Sequence, residues 1–126
     1  MEIVAGQESG VELRVTEADT AQALGSGDVP VLATPKVVAL AEAACVAVTV
    51  GRLGPGRTSV GTRVELTHLA PTPVGGRVWA TARVESAEGR RLVFSVRVSD
   101  GVEVVAEGTV ERVVVDREKF VAKALA

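Results

Sequence analysis

The sequence predicts an α+β domain in which a curved antiparallel β-sheet wraps one long apolar helix. Three observations carry that prediction. The stretch ATPKVVALAEAACVAV, residues 33–48, is apolar almost all the way round at helical spacing, so it must be covered on every side. From about residue 58 the chain is strand-like nearly to its end, interrupted only by short segments rich in Gly and Pro. Finally, 26 of the 126 residues are valine, and β-branching favours strands over helices.

The length sets one domain, residues 1–126, with one core. Only three residues are aromatic (Trp79, Phe94 and Phe120), so that core has to be aliphatic. The net charge of -2, with no basic cluster interleaved with aromatics, argues against a nucleic-acid partner. MEIVAGQESG carries two acids and no continuous apolar run, which leaves a cytoplasmic location as the expectation. The longest apolar run, residues 37–50, is shorter than the ~20 residues a bilayer requires and contains Glu42, so no membrane association is expected. Cys45 is the single cysteine; lacking Cys or His neighbours at ligand spacing, it reads as a small core residue, and no metal site is expected.

Taken in order, GVELRVT alternates apolar Val11, Leu13 and Val15 with Glu12 and Arg14, the mark of a half-buried strand. EADTAQALGSGDVPVLA reads as a mobile connection. The helix follows, with Thr34 as N-cap, Pro35 at the first helical position and Gly51 as the C-terminal stop. Strands are expected at 58–69, 77–86, 90–99 and 102–115. AEGR and the Asp-Gly of SDGV provide hairpin connections, and DREKFVAKALA forms a short C-terminal helix. A chain of this size has little left to cover the open side of such a sheet, so a homodimer is expected.

Four residues are out of place in this pattern. Glu42 sits in the apolar helix with no Lys or Arg at i+3 or i+4, and needs a partner from elsewhere. Were it unpaired, replacing it with Gln would raise the melting temperature. His68, the only histidine, ends the run Val60, Thr62, Val64, Leu66, His68 and so faces inward with the apolar residues; an inward His and a helix acid form a candidate acid–base pair. Thr34 offers a hydroxyl where the helix begins, and there its N-cap role competes with one in stabilising an oxyanion. Arg112 ends the inward parity Val102, Val104, Ala106, Gly108, Val110 unless a bulge at Gly108 swaps it. It is then partnered to an inward acid or reaches a ligand's phosphate or carbonyl.

AEAACV, SVGTRVELTHLAPTPVG, ESAEGRRLVFSVRVSDGVEVVAEGTVERVVV and EKFVAK together resemble the fluoroacetyl-CoA thioesterase family of hotdog-fold thioesterases, over roughly residues 30–123. The resemblance includes the eight-residue step from Thr34 to Glu42 and the Thr-His pair. It implies hydrolysis of a small acyl-CoA thioester by a constellation of Thr34, Glu42 and His68, with no cofactor beyond the CoA substrate itself. Glu42 would be nucleophile or water-positioning group, in contact with His68 as general base and with Thr34. Gly61 would let the substrate approach the backbone, and Arg112 would contact the substrate or its CoA portion. The fluoroacetyl-specific enzyme has an aromatic lid before the helix, whereas ADTAQALGSGDVPVLA has no aromatic residue; a short-chain acyl-CoA is therefore the expected substrate. The alternative is a non-catalytic acyl-CoA-binding or ligand-sensing hotdog protein.

Overall fold

The computed structural model describes all residues 1–126. Five antiparallel strands, β1 (Glu8–Arg14), β2 (Arg57–His68), β3 (Arg77–Glu88), β4 (Arg91–Ser99) and β5 (Val104–Asp116), form one sheet in the order β1-β3-β4-β5-β2. Strand β2 therefore lies at the far edge beside β5, and the chain crosses the sheet to begin β3. Each strand falls within a few residues of its expected place. Gly89, with φ of 59°, turns the β3–β4 hairpin, where a left-handed conformation suits a residue without a side chain.

The long helix, α2 (Thr34–Thr49), packs mainly on β1 and β3. It buries Val37, Leu40, Ala41, Ala44, Cys45 and Val48 against a core that includes Phe94, Leu92, Val78, Val84 and Val110. Phe94 is the one aromatic inside; Trp79 and Phe120 are exposed. Gly51, with φ of 73°, follows the helix as its stop. The expected cover on every side is not complete in the single chain. Ala39, Ala43 and Val46 are exposed on the helix face turned away from the sheet, and Val46 retains 43 % of its accessible surface.

The segment before α2, expected as a mobile connection, contains a 3-10 turn and a short helix. Thr16 and Asp19 bond each other reciprocally around a 3-10 turn, Glu17–Asp19. Thr20 caps the short helix α1 (Ala21–Leu24). Backbone bonds from Ala33 N–H to the Asp19 carbonyl (2.9 Å) and from Leu32 N–H to the Thr72 carbonyl (2.9 Å) then fix where α2 starts. Burial raises the Asp19 pKa, but the Thr16 hydrogen bonds and Lys36 outweigh it and hold this carboxyl below its ordinary value. The C-terminal helix, α3 (Arg117–Leu125), is capped by Asp116 and has no buried residue.

Candidate active site

Two polar pairs lie on α2, two helical turns apart. The first joins the start of α2 to the end of β2: Thr34 Oγ1 and His68 Nδ1 are 2.8 Å apart. Thr34 is not the N-cap expected. Ala33 occupies that position without a side-chain cap, and Thr34 is the first helical residue. Its hydroxyl is thereby free of capping duty and aims at the imidazole. His68 is held by the strand end, where Leu69 N–H donates to the Val105 carbonyl at 2.7 Å. His68 Nε2 is buried and has no hydrogen-bond partner in the protein. Thr34 and His68 open on a cleft of about 380 Å³, walled by residues 26–29, 31–32 and 69–71, among them Asp28, Val29, Val31 and Leu69.

The second pair joins mid-helix to the sheet. Arg112 Nη1 donates to Glu42 Oε2 at 2.8 Å, supplying the partner that the helix itself lacks. Arg112 is 6 % exposed; its Nε donates to Ser59 Oγ and its Nη2 to the Ser59 carbonyl, both at 2.9 Å. Of the two roles open to Arg112, the partner of an inward acid is the one the fold realises. Its inward parity from Ala106 to Val114 holds because the irregularity in β5 falls at Val105, ahead of Gly108. Glu42 Oε1 takes no protein hydrogen bond, and the side chain is 34 % exposed.

Gly61 lies directly beneath this carboxylate. A Cβ there would stand 2.3 Å from Glu42 Oε2 and 3.4 Å from Arg112 Nη1, so the space left by the missing side chain is filled by Glu42. The expected inward parity of Val60 and Thr62 fails at this point. A bulge between Gly61 and Arg63 reverses the alternation, turning Ser59 and Gly61 towards the helix side and restoring Val64, Leu66 and His68 beyond it. Ser59 went unrecognised in the sequence for this reason. The one available signal was a glycine inside a strand, a common mark of a bulge.

Within one chain, the expected contact of Glu42 with Thr34 and His68 is absent, and Glu42 bonds Arg112 instead. Eight helical residues rise about 12 Å, too far for the side chains to meet. Cys45 is buried beside this site, and burial pushes its thiol up to about 12, which keeps it protonated and unreactive. No three His, Cys, Asp or Glu side chains are grouped to hold a metal ion.

A family model described as fluoroacetyl-CoA-specific thioesterase matches residues 15–118. The fluoroacetyl-CoA thioesterase of Streptantibioticus cattleyicolor is 47 % identical over 93 residues, covering 74 % of this chain and 67 % of that protein. A solved structure of the fluoroacetyl-CoA thioesterase superposes with a TM-score of 0.92 at 38 % identity, covering 98 % of this chain and 96 % of that one. A mutant of it in complex with acetyl-CoA gives 0.92 at 37 % identity, covering 97 % and 96 %. A Thermus thermophilus hypothetical protein, described as a thioesterase superfamily member, gives 0.89 at 32 % identity, covering 98 % and 92 %. The α2 helix wrapped by an antiparallel sheet is thus the hotdog fold, and the chain belongs to the fluoroacetyl-CoA-specific thioesterase family.

Proposed function

We propose that the protein hydrolyses a short-chain acyl-CoA thioester to the free acid and CoA. The observation that carries this reading is the Thr34–His68 hydrogen bond beside a cleft, with a His68 Nε2 that is buried and left without a protein partner. When Nδ1 is protonated it donates to Thr34, and the Nε2 lone pair is available as a base. In hydrolysis Nε2 takes a proton from water as the oxygen attacks the carbonyl carbon. Collapse of the tetrahedral intermediate breaks the C–S bond, and the departing thiolate receives that proton from Nε2. Glu42, with Oε2 anchored by Arg112 and Oε1 free, positions that water. If Oε1 is instead the nucleophile, it displaces the thiolate, which leaves with a proton from the imidazolium of His68; water deprotonated by Nε2 then hydrolyses the acyl–glutamyl anhydride to regenerate the carboxylate. The chemistry assigned to these side chains draws on no metal or redox cofactor.

The cleft beside Thr34 is walled by small and aliphatic residues together with Asp28, and no Phe, Tyr or Trp lines it. This favours a short acyl chain with no requirement for fluorine. The test is release of free thiol from a panel of acyl-CoAs, with the His68→Ala protein as control. Hydrolysis of short-chain members by the wild type and its loss in the control are expected. Binding of acyl-CoA without turnover of any member would favour the ligand-sensing alternative instead.

The catalytic unit in this reading is a homodimer. The exposed apolar side of α2 needs covering, and the 12 Å rise between the two pairs prevents one chain from completing the constellation. A two-fold partner whose α2 packs on this face can bring its Thr34–His68 pair to the Glu42–Arg112 pair of the first subunit. Sedimentation at micromolar concentration is expected to give a dimer. Mixing Glu42→Gln and His68→Ala proteins under conditions of subunit exchange is expected to restore activity, since a mixed dimer has one intact composite site. A fully active monomer, or no recovery in exchanged mixtures, would refute the composite site.

A further inference from the structure

A guanidinium offers its N–H groups in a rigid planar fork. Arg112 commits one edge of that fork, Nε and Nη2, to the hydroxyl and the carbonyl oxygen of Ser59. The remaining nitrogen, Nη1, holds Glu42 Oε2. Because the plane is rigid, fixing one edge on Ser59 also fixes where Nη1 points, and hence where the carboxylate rests. Ser59 is 8 % exposed and Arg112 is 6 % exposed, so bulk water has little access to replace the hydroxyl. Gly61 bounds the carboxylate from below and leaves it no slack in that direction.

We infer that Ser59 is a positioning residue for thioester hydrolysis: it orients Arg112, which sets the Glu42 carboxylate for reaction. This rests on the reading of Glu42 as a reacting group. Ser59 touches neither the carboxylate nor the open cleft, and its influence passes wholly through the guanidinium. The bulge that turns Ser59 inward is therefore part of the site's construction, since without it Val60 would stand in Ser59's place and Thr62 opposite Arg112.

A purely structural hydroxyl would serve only to satisfy a buried cation, and the two roles differ in kinetics. Misplacing a reacting group by about 1 Å can cost about 10²-fold in rate, so a smaller swing of the guanidinium should cost about tenfold. Ser59→Ala is expected to lower kcat about tenfold per folded enzyme, with KM within about twofold of wild type. Ser59→Thr, which keeps the hydroxyl, is expected to recover most of that loss. In an Arg112→Lys background, where the fork no longer exists, adding Ser59→Ala should lower kcat no further, because coupled residues are not additive. If the Thr side chain does not fit, the Ala and Lys variants decide the matter. Unchanged kcat in Ser59→Ala, or additive losses in the double variant, would overturn the positioning role while leaving the thioesterase reading standing. A wild-type protein that cleaves no acyl-CoA would remove both.

Discussion

Glu42→Gln is expected to lower kcat by about 10²–10⁴-fold, the range for loss of a group that transfers protons or activates the nucleophile. Glutamine keeps the shape and can still accept from Arg112 Nη1, so acyl-CoA binding should persist and KM should change little. The thermal effect has the opposite sign to that expected for an unpaired buried acid. Glu42 is paired, and neutralising it leaves the Arg112 guanidinium buried with only the neutral Ser59 as a further partner. Because the carboxylate is one-third exposed, solvent screens part of that loss. A destabilisation of about 1 kcal/mol is expected, lowering Tm by roughly 3–6 °C. Steady-state kinetics and calorimetry on the same preparation check both parts. Near-normal turnover would make the carboxylate structural and end the proposed mechanism.

Gly61→Ala is expected to separate activity from stability. The added Cβ would lie 2.3 Å from Glu42 Oε2, a distance that forces movement, and the atom that can move is the end of a flexible side chain. Displacement of the carboxylate by about 1 Å should lower kcat about 10²-fold. Strain on the Glu42–Arg112 pair opposes the gain from alanine, which avoids the conformational entropy cost of glycine in a strand, worth about 0.5–1 kcal/mol. Tm should thus change little while turnover falls. If activity survives with an intact Glu42–Arg112 pair, Gly61 does not hold the space for Glu42, and close packing there is incidental.

Much of this molecule is legible in its residues because it follows local periodicity. The valine-rich alternation places strands at 58–69 and 77–86 within a residue or two of β2 and β3. Uniform apolarity marks α2, and Gly51 marks its end. Glu42, His68 and Arg112 stand out because each is a polar group on a face otherwise apolar, and burial of such a group requires a partner. That argument identifies residues in need of partners without saying which ones meet.

Pairing was settled by tertiary structure. Thr34 looks like an N-cap in sequence, yet one residue's shift in the helix start frees its hydroxyl for His68. Helix ends are set by the backbone bonds of Leu32 and Ala33 to Thr72 and Asp19, which are remote or irregular contacts that propensity does not encode. Ser59 became part of the site only through the bulge beside Gly61, since inserting one residue into an alternating strand reverses which side chains face the core. The family resemblance implies close approach of a substrate at Gly61, and the tertiary structure adds that the space beside it holds Glu42. Hydrophobic pattern determines the class of element because burial is averaged over many residues. The site depends on a few distances near 3 Å, and those follow from register and strand order, which long-range packing alone decides.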